Sequence, residues 1–262
     1  MKKKKIYMIG NSHIDPVWFW NWDEGMQEAK ATFSSALDRL NEYPDVCYTA
    51  TSTVFLEWVE KIRPDLFEEI RQRVQEGRFE LTGGWLVEPD CILPCGEAFV
   101  RQGLYGQRYL KERFGKTAHV ASNVDSFGHC DTLPKILKQS GFSEYVFMRP
   151  RLDTPVFQWK SKDGSEILCI SLPSEYTTWF YESTREALDL SIRSMEEHTD
   201  LSEMACCYGV GNHGGGPTVE NIRTVQSLQK TEEYADYEIS FGTYDEFFAQ
   251  VQKEKDKLPC LT

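Results

Sequence analysis

The sequence predicts an α/β fold, a mostly parallel sheet or barrel, and two observations carry that expectation. Short apolar runs alternate with amphipathic stretches along nearly all of the 262 residues, the βαβα order that parallel sheets require. One pair of apolar runs breaks the alternation, because 156–160 and 167–172 flank Ser161-Lys162-Asp163-Gly164-Ser165, a stretch that reads as a hairpin turn. A chain of this length can fold as one large domain with a substantial core, and nothing in its composition asks for two.

Each element has its own local reason. Strands are expected at 5–10, 46–50, 78–83, 118–123, 145–148, 156–160, 167–172, 205–210 and 237–242, where apolar and β-branched residues run together between polar segments. In the first helix Ala29, Phe33, Ala36, Leu37 and Leu40 recur at spacings of three and four and so line one face. The next opens on Pro64, suited to a first helical turn, and closes on Gly77, suited to a left-handed stop. Further helices are expected at 97–114, 132–140, 183–198, 218–230 and 243–254. The chain ends in Lys257-Leu258-Pro259-Cys260-Leu261-Thr262, which reads as the beginning of another strand, so the fold is expected to be truncated at its C-terminal end.

Composition narrows the function classes. There are 29 Lys and Arg against 41 Asp and Glu, a net charge of −12, which argues against a nucleic-acid or anionic-membrane surface. The basic residues cluster only at the start, and the apolar segment behind them, Ile6 to Gly10, is too short for a signal peptide or a membrane span. A cytoplasmic protein is expected. The eight Cys lack the density of a disulfide scaffold, and Cys91 and Cys95, without a second pair, are a weak metal signature.

The unusual polar residues fall behind the strands. His13 and Asp15 follow the first, Glu88 and Asp90 the third, Asp125 the fourth, Arg149 the fifth, and Asn212 and His213 the run 205–210. Carboxyl ends of parallel strands share one rim, where active sites are built. In extended chain His13 and Asp15 point to the same side, so an imidazole nitrogen and a carboxylate oxygen can meet one ion, and Pro16 keeps Asp15 extended. Such donors suit zinc or, less selectively, manganese or cobalt, and Asp125 is the natural third ligand. The Gly-rich segment 208–218 lacks a P-loop lysine and the dinucleotide spacing, so it reads as a close-packed rim loop. Trp20 and Trp22 read as packing residues and His129 as a hydrogen-bonded structural histidine. Glu88 and Asp90 suit either substrate or loop capping.

Six segments in consistent order, Asn11 to Trp20, Thr82 to Asp90, Asn123 to Phe142, Phe147 to Arg151, Gly209 to Thr218 and Phe241 to Thr262, resemble the N-terminal catalytic domain of glycoside hydrolase family 38, the α-mannosidases, in its bacterial branch. The resemblance implies a distorted (β/α) barrel of the glycoside hydrolase and deacetylase type, about seven strands, with residues 1–262 a single catalytic domain and helical and β domains downstream. It implies one zinc ion held by His13, Asp15 and Asp125, with a fourth ligand, a histidine, beyond residue 262. It further implies that Asp125 is the nucleophile of a retaining mechanism, that Trp18 and Phe127 stack around mannose, and that Arg149 lies beside the nucleophile. Trp85, Asp90 and Asn212 complete the expected substrate contacts. One departure is that family members carry an acid/base Asp near the position of His213, which leaves His213 a candidate acid/base. The expected partner is a mannose-containing oligosaccharide or glycoside, with neither nucleic acid nor membrane, and a homodimer is the candidate assembly of the longer enzyme. Two alternatives stand beside this one: a metal-dependent carbohydrate deacetylase, and an inactive fragment that only binds sugar.

Overall fold

The computed structural model describes residues 3–211 and 213–262, so Asn212 lies outside the described residues. Among the described residues ten strands and eight α-helices follow one another. They are β1 (Lys4–Gly10), α1 (Trp22–Glu42), β2 (Tyr48–Ser52), α2 (Thr53–Ile62), α3 (Pro64–Gln75), β3 (Phe79–Trp85), α4 (Gly96–Phe114), β4 (Val120–Asn123) and α5 (Leu133–Gln139). After these come β5 (Glu144–Phe147), β6 (Val156–Lys160), β7 (Glu166–Ser171), α6 (Tyr181–His198), β8 (Glu203–Tyr208), α7 (Val219–Leu228), β9 (Tyr237–Gly242), α8 (Tyr244–Val251) and β10 (Cys260–Leu261).

The strands hydrogen-bond into three sheets: β8-β1-β9, β2-β3 and β10-β6-β7-β5-β4. Every pairing is parallel except β6 with β7, the hairpin read from the sequence, which turns through Ser161–Ser165. The first two sheets meet where Asn11 and Thr49 form a single parallel bridge. The third approaches the second where Trp85 at the end of β3 hydrogen-bonds Asn123 at the end of β4. Among the described residues the backbone ladders stay three sheets, and their hydrogen bonds do not run on as one closed barrel.

Burial explains the elements. β1, β3, β4 and β8 are shielded almost throughout, as strands covered on both faces must be, and are mostly apolar or small residues, with Glu80 and Glu203 the buried exceptions. α1 lays Ala29, Phe33, Ala36, Leu37 and Leu40 into the core, the stripe expected from their spacing. α7 and α8 start on Thr218 and Thr243, whose hydroxyls accept the N–H groups of Asn221 and Glu246 while those side chains reach back. α2 is the element the sequence reading omitted. It follows β2 without a loop and buries Phe55, Leu56 and Val59, a helical pattern hidden by the β-branched residues at its start.

Cys260 and Leu261, in the segment expected to begin a strand at the chain end, pair with β6 as β10. All eight cysteines are free, and Cys91 is fully buried while Cys95 is exposed, so that pair faces no common ion. No helix among the described residues is long and apolar enough to cross a membrane.

Candidate active site

The loops behind β1, β3, β4, β5 and β7 converge at the carboxyl ends of the strands. His13 leads the loop behind β1 and is buried, at 6% exposure. Its Nε2 lies 3.5 Å from Asp15 Oδ1 and 3.9 Å from Asp125 Oδ2, while Nδ1 lies 3.5 Å from Glu88 Oε2. Burial alone would lower the pKa of this imidazole, but Asp15 and Glu88 outweigh it and push the pKa up to about 10. The pocket is therefore tuned for a positive charge. His13 Nε2 is buried with no hydrogen-bond partner.

Asp125 is the hub of the opposite wall. Its Oδ1 meets Arg149 Nη2 at 2.9 Å, and Tyr176, buried behind β7, hydrogen-bonds the same carboxylate. Burial, then the charge of Asp125, drives the Tyr176 phenol far above its ordinary pKa, so it remains a donor. The Tyr176 ring also stands edge-on to His13, with centroids 5.2 Å apart. The Arg149 guanidinium lies over the exposed Phe127 ring at 4.9 Å. Behind Arg149, His129 Nε2 faces the Arg149 carbonyl at 2.6 Å and Tyr145 the His129 Nδ1 at 3.0 Å. A carbonyl only accepts, so Nε2 carries the proton and Nδ1 accepts from the phenol. Burial lowers the His129 pKa, in keeping with a neutral structural histidine.

Three further groups fix the loops. Asn11 Nδ2 donates to the carbonyls of Tyr176 and Tyr208, tying the segments behind β1, β7 and β8 together. Asn123 accepts from Trp85 Nε1 at 3.1 Å and donates to the Pro89 carbonyl at 2.9 Å. Gly25 of α1 sits so close to the Pro16 carbonyl that a Cβ there would approach its oxygen to 2.3 Å, which lets α1 back directly onto the Asp15-Pro16 turn.

The resulting cleft, about 180 Å³, is lined by His13, Asp15, Glu88, Pro89, Asp90, Asp125, Ser126 and Phe127. A larger groove of about 470 Å³ between α2 and α4 pairs its charges off, with Glu60 bonded to Tyr109 and Arg113. Converging unpaired polar groups, rather than size, mark the smaller cleft as the site.

Among the described residues no group of three or more His, Cys, Asp or Glu side chains stands as a complete metal-holding set. His13, Asp15 and Asp125 nevertheless suit a divalent ion in donor chemistry, and the first two also in spacing. Two ligands sharing an ion at about 2.0–2.1 Å stand roughly 3.3 Å apart in a tetrahedron, close to the 3.5 Å between His13 and Asp15. Asp125 is at present turned towards Arg149 and Tyr176.

The other residues singled out by the sequence are placed as follows. Trp18 is exposed, tilted against Phe19 and edge-on to Trp20. Trp85 is corrected to a core residue, because it is fully buried against Phe99 and Phe142 and presents no face to a ligand. Asp90 borders the cleft but spends Oδ1 on the N–H groups of Ile92 and Leu93, the loop-capping role. His213 is absent from the lining of this cleft and turns to α1, with Nε2 3.5 Å from Glu24 and 3.6 Å from Glu28 and its ring against Trp20. Trp20 packs as expected and donates to the Asp15 carbonyl, whereas Trp22 is 59% exposed and packs little. The Gly-rich segment packs closely on the protein itself: Gly214, at φ +83°, would bring a Cβ within 2.4 Å of Thr32 Oγ1. Sequence reasoning missed Tyr176, Asn11 and the role of Glu88; a polar residue immediately behind a buried strand was the signal for Asn11, and Tyr176 had none.

Residues 3–261 match the family model described as "Glycosyl hydrolases family 38 N-terminal domain". Among curated proteins the chain is 29% identical to alpha-mannosidase G of Dictyostelium discoideum over 97% of its own length and 24% of that protein's. It is 28% identical to human alpha-mannosidase 2C1 over 87% of its own length and 22% of that protein's. The chain thus spans about a quarter of these relatives. Among solved structures an alpha-mannosidase from Enterococcus faecalis V583 superposes with a TM-score of 0.82 at 20% identity, over 99% of this chain and 30% of that one. A putative polysaccharide deacetylase from Mycobacterium smegmatis shares the fold at a TM-score of 0.63 and 12% identity, over 99% and 93%.

Proposed function

We propose, for a chain that belongs to glycosyl hydrolase family 38 as its N-terminal domain, that the cleft hydrolyses terminal α-linked mannose with retention of configuration. The observation that carries this reading is Asp125, a carboxylate held on one side by Arg149 and Tyr176 and open on the other to the orphaned Nε2 of His13. A retaining glycosidase needs a carboxylate that attacks the anomeric carbon and a second group that protonates the leaving oxygen. Arg149 and Tyr176 keep Asp125 oriented. Attack by Asp125 on the anomeric carbon would break its bond to the leaving oxygen, which takes a proton from the acid/base, and form a glycosyl-enzyme ester; water, giving a proton back to that acid/base, would then cleave the ester, freeing the sugar and restoring the Asp125 carboxylate.

His13, Asp15 and Asp125 would hold zinc, which when bound supplies positive charge for the vicinal hydroxyls of mannose and for the nucleophile. The fourth ligand belongs, on this reading, to the longer enzyme. Phe127 under Arg149 and the exposed Trp18 offer aromatic faces to the apolar side of a sugar and to the positive charge that develops on it. The acid/base is left to His213 or to a carboxylate, and the contacts of His213 with Glu24 and Glu28 would have to break for it to serve. The three sheets are read as a distorted barrel, the substrate as a mannose-containing glycan, the setting as cytoplasmic and the longer enzyme as a homodimer.

The test is turnover of an aryl α-mannoside with zinc present, for the wild-type chain and for Asp125→Ala. Loss of turnover by at least about 10³-fold together with weakened zinc binding is expected of the variant. Acetate release from an N-acetylated sugar without mannoside cleavage would move the reading to the deacetylase alternative. Full zinc affinity in Asp125→Ala would remove the metal from the role of Asp125.

A further inference from the structure

We infer that Glu88 is the positioning residue that couples the two halves of the site, holding His13 by its Nδ1 edge and Asp125 by its backbone. This rests on the reading of His13 and Asp125 as metal ligands. The side chain of Glu88 is about one-tenth exposed, and its two oxygens face different loops. Oε2 lies 3.5 Å from His13 Nδ1, behind β1, and Oε1 lies 3.4 Å from the amide nitrogen of Asp125, behind β4.

An imidazole that gives Nε2 to a metal keeps a single N–H, on Nδ1, and a carboxylate acceptor there holds the ring with Nε2 facing Asp15 and Asp125. The buried Nε2 makes no protein hydrogen bond of its own, which leaves that edge free for an ion. Glu88 is itself braced, since its N–H donates to Ser52 Oγ at 3.0 Å, and Ser52 closes β2 where α2 begins. That bond explains why Ser52, the residue before α2, makes no side-chain cap to its own helix. One carboxylate thus transmits the position of the second sheet to ligands carried by the first and the third. Asp90, two residues on, cannot substitute, because its Oδ1 is engaged by the Ile92 and Leu93 amides of its own loop.

The experiment compares wild-type chain, Glu88→Ala, Glu88→Gln and His13→Ala by competition for zinc against a chromophoric chelator, with zinc alone as ligand. The metal-free chains are followed in parallel by NMR of the His13 Nδ1 proton and by hydrogen exchange of the Asp125 amide. Glu88→Ala should raise the zinc dissociation constant about 10–100-fold. Glu88→Gln should fall between it and wild type, because an amide oxygen accepts the same N–H groups without the charge. In metal-free chain Glu88→Ala should lose the hydrogen-bonded Nδ1 signal and speed exchange at Asp125, while circular dichroism shows the fold retained.

Wild-type zinc affinity in Glu88→Ala, with affinity lost in His13→Ala, would overturn the positioning role and leave the metal reading standing. Equal zinc behaviour in wild type and His13→Ala would overturn the metal reading instead, and Glu88 would then be judged on the metal-free signals. Those signals, unchanged in Glu88→Ala, would overturn the coupling outright.

Discussion

At the scale of single residues, the chemistry of the site was legible where it lies in a short contiguous pattern. His13 and Asp15 could be paired from their spacing alone, and the structure brings both to one cleft with Asp125. Trp85 shows the limit of that reasoning. A tryptophan at the end of a strand reads equally as a sugar platform or a core ring, and only burial decides; here it is fully enclosed and supports Asn123 through Nε1. Trp85→Phe keeps an aromatic ring but leaves Asn123 Oδ1 without its donor. A stability loss of about 1–3 kcal/mol is expected, read from the urea midpoint, and an unchanged midpoint would show that the Trp85–Asn123 bond contributes nothing. Glu88 was illegible for a related reason: its two partners are far away in sequence, and no local pattern announces a carboxylate shared between them.

At the scale of elements, strands and helices were legible from periodicity and caps, and the omission of α2 has a physical cause. Thr53 and Val54 favour extended chain, and no loop residue separates them from β2, so the local preference points the wrong way until Phe55, Leu56 and Val59 find the core. A second element-scale feature was invisible in sequence. Glu80 of β3 is buried and accepts from Thr49 and from the amides of Tyr244 and Asp245 at the start of α8. Those donors favour the anion, yet burial and then the charge of Asp245 prevail and push its pKa up to about 7. A carboxyl whose pKa rises on folding binds its proton more tightly in the folded state. Its contribution is therefore fully present below the unfolded value of 4.5 and is lost as pH rises towards 7. The stability difference between wild type and Glu80→Gln, followed by urea denaturation from pH 4 to pH 8, should shift against wild type across that window. A flat difference would refute the assignment.

For the whole molecule, the order of elements foretold a mostly parallel α/β fold, but not its division into three sheets, because a sequence pattern says which residues are buried and not which strands adjoin. Besides the Asn11–Thr49 bridge, a few side chains join the sheets. Asn11 reaches from the first sheet to the segment behind β7 of the third, Trp85 and Asn123 link the second and third, and Glu80 links the second to α8, which follows the first. Asn11→Ala would strip the Tyr176 carbonyl of this donor and loosen the cleft from two sides. An expected cost of about 1–3 kcal/mol, accompanied by weaker zinc binding, can be measured by urea denaturation and chelator competition on the same samples. Loss of stability with zinc affinity intact would mean that the join holds the fold but not the site. Backbone ladders are indifferent to which side chains they carry, whereas these joins depend on particular ones. The relative placement of the sheets, and with it the width of the cleft, is therefore open to adjustment by single substitutions, so selection could reshape the opening without disturbing the ladders beneath it.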